Sequence, residues 1–202
     1  MPFFVKSRRS GAATRAMWEQ SLRVQFGSVT ILDMTSHGPE PWIRFSPFFP
    51  HGDIPVPFSS GVSGQSVEGI WQALKVFEHQ DVDPSRLLIT SMRGLKRAVR
   101  VHGRVLGHRE GMDGARLLPY VEARRTIYLP SYKWVLEHRL RQSLAELRRV
   151  GESGAVILLD YETNTDVENA AKPLSHAGLV AAYLNEDWPD TTTRCDQMHS
   201  PG

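Results

Sequence analysis

SVEGIWQALKVFEH, residues 66–79, is the stretch on which the reading of this chain turns. Ser66 is placed to cap a helix, its hydroxyl accepting a free backbone N–H of the first turn. At 100° per residue, Ile70, Ala73, Leu74 and Phe77 gather on one side, which predicts a helix over 66–79 with that side in the core. Glu68, Gln72 and Lys75 stand at i, i+4 and i+7, within about 60° of one another on the opposite side. That row offers a carboxylate, an amide and an amine together, although surface helices carry such residues as a matter of course. Trp71, about 100° off the core side, reads as packing.

Upstream lies FSPFFPHGDIPVPF, 45–58, with four phenylalanines and four prolines in fourteen residues. Proline has no N–H for a sheet ladder, so this is not a buried strand. A disordered linker would not carry so many aromatic rings. It reads as a stiff loop that either plugs a core or walls a pocket for a flat ligand. Phe48 and Phe49 are expected to divide, one to each. Pro50, Pro55 and Pro57 stiffen the loop.

Farther out, AATRAMWEQSLRV (12–24) predicts a short helix with Ala16, Met17 and Leu22 inward, and VTILDMTS (29–36) a strand. Pro84 marks a second helical start, and 91–103 is basic and partly helical. YKWVLEHRLRQSLAELRRV predicts one long helix, with Trp134, Leu136, Leu140, Leu144 and Leu147 at core spacing and Gly151 as its stop. AVILLDYETN (155–164) predicts a buried strand and KPLSHAGLVAAYL (172–184) a last apolar helix. The fold class expected is α+β, a mainly helical single domain over 1–185 with a small β-sheet. Residues 186–202 form a polar tail expected to be loosely ordered.

The 202 residues include 41% hydrophobic and 23% charged residues, the balance of a globular domain long enough to bury a core without staples. Cys195 is the one cysteine, so an internal disulfide is excluded and a reducing, cytoplasmic setting is expected. No apolar run approaches the roughly 20 residues that cross a bilayer, and the start lacks the apolar core of a secretion signal. The eight histidines show no metal-binding spacing, there is no phosphate-binding glycine loop, and no cofactor is expected. His176 reads as a satisfied buried histidine. Net charge is only +2, but Arg86–Arg109 holds seven Lys/Arg and no Asp/Glu. That run is either a solvated surface or a phosphate-attracting one.

The loop and the helix together resemble the NADAR family of N-glycosidases. Members carry an F-S-N-F-Y-P-like segment, followed by a helix reading Glu-His-x-x-Gln-x-x-Lys-Phe. Phe45, Ser46, Phe48 and Pro50 match the first motif, and Glu68, Gln72 and Lys75 the second. The resemblance is carried by about residues 42–78. Two departures stand out: Gly69 replaces the family's histidine, and LLDYETNTDVENAAKPLSHAGLV replaces its glycine-rich closing motif.

The resemblance implies cleavage of a ribose C1–N bond. Known family substrates are ADP-ribosylated guanine in nucleic acid and phosphoribosyl intermediates of riboflavin synthesis. Glu68 would move protons and Lys75 would be the nucleophile, capturing the opened sugar as a Schiff base. Trp42, Phe48 and Phe49 would stack on the base, a contact of about 1–3 kcal/mol per base. Ser46 and Gln72 would bond ribose hydroxyls, Arg97 with its basic neighbours would hold phosphate, and Asp160 and Asn169, with Glu162, Asn164, Asp166 and His176 of the same stretch, would supply the polar contacts of the replaced motif. The partner is then a ribosyl or nucleotide substrate, with no membrane. Two alternatives stay open: a pocket that binds ADP-ribose or a nucleotide without turnover, and a nucleic-acid-binding protein working through 86–109.

Overall fold

The computed structural model describes residues 2–191. Its centre is β8 (Ala155–Asp160), AVILLD, buried at every position. β8 lies between β1 (Phe3–Ser7) and β2 (Val29–Asp33), both parallel to it, in the order β1-β8-β2. A strand flanked and covered in this way has no solvated side, which is why its sequence is continuously apolar rather than alternating. α1 (Ala12–Phe26) crosses from β1 to β2. α7 (His176–Leu184) packs against β1 and β8, its start capped by Ser175, whose hydroxyl accepts the Gly178 N–H at 3.0 Å. The α+β expectation is met.

A second group of elements stands beside this sheet. β3 (Ile54–Pro55) and β4 (Ser63–Gly64) form a small antiparallel pair within the aromatic loop and its exit. α2 (Val67–Ala73) follows, with the Ser66 cap as expected, the hydroxyl accepting the Gly69 N–H at 3.0 Å. Next come β5 (Lys75–Phe77), a 3-10 turn (Pro84–Leu88), the four-residue α3 (Val99–His102), β6 (Val105–Arg109) and β7 (Leu117–Leu118). β5, β6 and β7 make an antiparallel sheet in that order. α4 (Tyr120–Ala123) then runs through a π-helical turn (Arg124–Tyr128) into α5 (Leu129–His138), followed by α6 (Arg141–Gly151).

Three sequence expectations are corrected. The helix over 66–79 ends at Ala73, and Lys75–Phe77 is a strand. The Arg109 N–H bonds the Leu74 carbonyl and the Asp83 N–H bonds the Ala73 carbonyl, so β6 and the following loop take the helix's last acceptors. The single long helix is two. The Arg139 and Leu140 N–H groups both bond the Val135 carbonyl, and Leu140 then starts a new helix by accepting from Leu144. The leucine spacing survives the break: Leu136, Leu140, Leu144 and Leu147 are all buried. α1 buries no residue completely. Met17 is 66% exposed, Ala16 faces out, and only Leu22 of the three expected inward residues is half-buried. The helix touches the sheet through Phe26, which packs on Phe4, and Trp18, under the Lys6 ammonium.

Of the tail expected from 186 onward, residues 192–202 lie outside the described residues. Trp188 packs edge-on against Tyr183 at the core margin.

Candidate functional site

The aromatic loop is pinned from both ends. The buried Tyr132 hydroxyl donates to the Phe45 carbonyl at 2.6 Å, tying the 3-10 turn Trp42–Phe45 to α5. The Glu68 N–H donates to the Pro47 carbonyl at 2.9 Å, docking the loop on the first turn of α2. Phe48 is thereby held beside Glu68 at the wall of a cleft of about 480 Å³.

Glu68 is 7% exposed, and its Oε1 accepts from Gln72 Nε2 at 2.9 Å. Gln72 cannot turn its amide round, because its Oε1 already accepts the Arg97 N–H at 3.1 Å. Burial raises the Glu68 carboxyl above the ordinary glutamate range. The Gln72 bond and the charges of Lys75 and Lys96 pull the other way. Lys75 enters the same cleft from the first position of β5, not from a helix face. Its pKa is lowered, first by burial and then by Lys96 and Arg97, while Glu68 opposes. The Lys75 ammonium stands 6.0 Å from the Trp71 ring centre and the Lys96 ammonium 5.4 Å from that of Phe48. Among the described residues neither has a carboxylate within 4.0 Å. A carboxyl biased toward its proton thus lies near an amine biased toward losing one.

The floor is aromatic. Trp71 is met edge-on by Tyr120 and Tyr128, each 5.7 Å away. Behind it lies His108, fully buried, with ring centres 3.7 Å apart and no hydrogen-bond partner for either nitrogen among the described residues. Burial and then the nearby Lys75 charge push the His108 imidazole down to about 3, so it is neutral at ordinary pH. Arg124 sits in the π-helical turn, its guanidinium over the Tyr120 ring. It donates to the carbonyls of Val167, Asn169 and Lys172, which fixes the 164–173 loop at the cleft's edge.

The far end is built where the parallel strands finish. Asp160 and His176 form an ion pair at 3.1 Å, and the other imidazole nitrogen donates to the Met34 carbonyl at 2.6 Å. Both His176 nitrogens face acceptors, so its pKa is raised, against burial, by Asp160 and then Met34. Asp160 is lowered, against burial, chiefly by His176 and Ser175. Ser36, Tyr161 and Glu162 complete this end.

Eight expected residues thus share the cleft: Phe48, Glu68, Gln72, Lys75, Arg97, Asp160, Glu162 and His176. Arg97 does so with both terminal nitrogens engaged, while its buried Nε has no hydrogen-bond partner among the described residues and stands 3.9 Å from Asp83. Its side chain is fully buried, and its two terminal nitrogens donate to the carbonyls of Gln72 (3.1 Å), Lys75 (2.6 Å) and Asp81 (2.7 Å). It is a clamp on the turn after α2 rather than a phosphate holder. Trp42, Ser46, Phe49 and Asn169 do not line the cleft. Trp42 stacks on Phe45 in the core, and Ser46 stands behind Ser36 with their hydroxyls 3.0 Å apart. Phe49 turns away onto His51 and Arg44. Asn169 offers its carbonyl to Arg124 and uses its side chain to cap the Ala171 N–H. Phe48 reaches the cleft as expected, but Phe49 does not enter the core: it is half-buried on the half-buried His51. Trp71 packs as expected and also lines the cleft. His176 is the satisfied buried histidine expected, and it too reaches the cleft.

Tyr120, Arg124 and Tyr128 escape the sequence reading. Their spacing of i, i+4 and i+8 in YVEARRTIY is the helical signal by which they are recognisable. Among the described residues no three His, Cys, Asp or Glu side chains converge as a metal ion requires, and no helix is long and apolar enough to cross a membrane.

A family model described as "Family of unknown function (DUF6939)" matches residues 14–180, and the chain belongs to that family. No curated protein matches it.

Proposed function

Since the family carries no assigned activity, we propose from the cleft itself that this protein is an N-glycosidase acting on a ribosyl or phosphoribosyl adduct of a planar base. The observation that carries the reading is the convergence of a carboxyl held toward its proton (Glu68) and an amine held toward its free form (Lys75) under an aromatic wall. The match of Phe45, Ser46, Phe48, Pro50, Glu68, Gln72 and Lys75 to the NADAR motifs supports it. The reading carries with it a cytoplasmic setting and a ribosylated small molecule or nucleic-acid base as partner.

The base lies between Phe48 and the Trp71 floor. As the C1–N bond breaks, its electron pair leaves with the base and the Glu68 proton moves to the departing nitrogen. The Lys75 amine forms a bond to C1, the bond from C1 to the ring oxygen breaks as a proton passes from the Lys75 nitrogen to that oxygen, and the opened sugar is held as an iminium. Water adds to that carbon, the C–N bond to Lys75 breaks, and the free sugar and amine are restored. Glu68 recovers its proton from the attacking water.

The basic run is the second reading, and its side-chain partners narrow it. Arg86 is bound to Asp83 and the Gly94 carbonyl, Arg97 to carbonyls, and Arg109 to Asp81. Arg93, Lys96 and Arg100 remain without an acidic partner among the described residues, a small footprint for a nucleic-acid surface.

The test is incubation with ADP-ribosylated guanosine and with a phosphoribosyl-aminopyrimidine, followed by borohydride and intact mass. The expected result is free base and a reduced sugar adduct on the wild type, with no adduct on Lys75→Ala. Tight ligand binding without base release would leave a binding protein. Binding that falls steeply with salt and survives Lys75→Ala and Glu68→Gln would move the activity to Arg93, Lys96 and Arg100.

A further inference from the structure

The cleft has two unlike ends. At one, Lys75 and Lys96 have no carboxylate within 4.0 Å among the described residues. At the other, beyond the carboxyl end of β8, three parallel strands finish together, the place where open parallel sheets gather ligands. Three carboxylates line the cleft: Glu68, Asp160 and Glu162.

Two of these are occupied. Glu68 accepts from Gln72. Asp160 accepts the Tyr161 N–H on one oxygen, and Ser175, Ala177 and His176 on the other. Glu162 differs. Its side chain is 38% exposed, and its one ion pair among the described residues is a loose contact at 3.9 Å to Arg9, which is itself 68% exposed and leans on the Tyr161 ring. An exposed pair of that kind contributes almost nothing to stability.

What would this carboxylate receive? Besides the Lys75 amine, four basic groups line the same cleft among the described residues, Lys96, Arg97, Arg124 and the His176 imidazole paired with Asp160, against three carboxyl groups. That surplus repels a cationic ligand group and favours an anionic one near Lys96. The ligand donors left for Glu162 are therefore uncharged, and a carboxylate that accepts no hydrogen bond among the described residues, its Arg9 contact being 3.9 Å long, matches two adjacent hydroxyls.

We propose that Glu162 is a specificity-determining acceptor for the adjacent hydroxyls of an anionic sugar ligand, whose charged group lies toward Lys96. The proposal rests on the ribosyl reading of the cleft, and it is tested by binding rather than by turnover. The probes are ribose 5-phosphate and 2-deoxyribose 5-phosphate, titrated calorimetrically into the wild type, Glu162→Gln, Glu162→Ala and Lys96→Ala. A hydrogen bond to a charged group predicts that the wild type prefers the ribose compound by about tenfold or more. Both Glu162 variants bring the ratio within about twofold, whereas Lys96→Ala weakens both probes and keeps it. Glu162 is half-exposed and holds nothing in the core, so its variants are expected to melt with the wild type, which a thermal scan checks.

A ratio unchanged in the Glu162 variants overturns the proposal. So does a wild type that binds both probes equally, or neither. Failure here is separable from failure of the glycosidase reading. Base release with a Lys75 adduct but an unchanged ratio removes only the role of Glu162. A ratio that collapses without base release removes only the chemistry.

Discussion

Arg97→Ala separates a clamp from a ligand anchor. Three carbonyls lose their donor, each costing about 1–3 kcal/mol, the most for Gln72, which is buried, and the least for Lys75 and Asp81, which water can reach. The guanidinium also stands 4.7 Å from the Phe77 ring centre, worth about another 0.5–1 kcal/mol. Against this, the charge no longer has to be buried, a burial that lowers the Arg97 pKa in the folded protein. The net is about 4 kcal/mol, in the range for breaking a buried charge network. For a domain of this size that lowers the thermal midpoint by about 12 °C. Arg97→Lys keeps the charge, but its single ammonium reaches fewer of the three carbonyls, so it recovers only part of the loss. The assay is thermal and urea unfolding beside ligand affinity measured well below the lower midpoint. A midpoint within about 2 °C of the wild type, with affinity lost, would refute the clamp and return Arg97 to the ligand.

Glu68→Gln should stabilise the protein in a pH-dependent way. The folded carboxyl has a raised pKa, so ionising it costs more in the fold than in the unfolded chain. That cost is absent below the ordinary value of 4.5 and grows as pH rises through the folded value. The variant should therefore melt with the wild type at pH 4 and above it at pH 8, while losing turnover. A gap that widens toward acid refutes the assignment. Tyr132→Phe leaves the Phe45 carbonyl without its donor and should cost about 1–2 kcal/mol, read as a midpoint lower by about 5 °C. Gly69→His, which restores the residue usual in the resembled family, should destabilise by about 2 kcal/mol or more. A Cβ there comes within 2.8 Å of the Arg86 carbonyl. An unchanged urea midpoint would show that the Pro84–Leu88 turn can give way.

The Gly69 position also shows why a departure from the resembled motif is legible in the chain and its reason is not. The missing histidine is plain in VEGIWQ, but that the following turn packs its backbone against this point depends on residues seventeen positions away. Lys75 is similar. Its spacing from Glu68 and Gln72 puts all three on one helical face, and all three do meet. The structure brings Lys75 there on a strand, because β6 and Arg97 capture the last carbonyls of α2. The three residues are neighbours, as the spacing implies, but on a different backbone.

Local order is what can be read directly from the chain. The Ser66 cap, the buried run of β8, the leucines of α5 and α6 and the Glu68–Gln72 pair all follow from periods and side-chain reach within a few residues. Tertiary structure decided which polar groups are spent and which are free. Arg97 is consumed by carbonyls up to 25 positions away, Asp160 is closed by Ser175 and His176, and Glu162, two residues on, stays open to the cleft. The physical reason is that a buried charge takes whatever partner the fold brings within about 3 Å, and that partner is set by chain crossings no local period records.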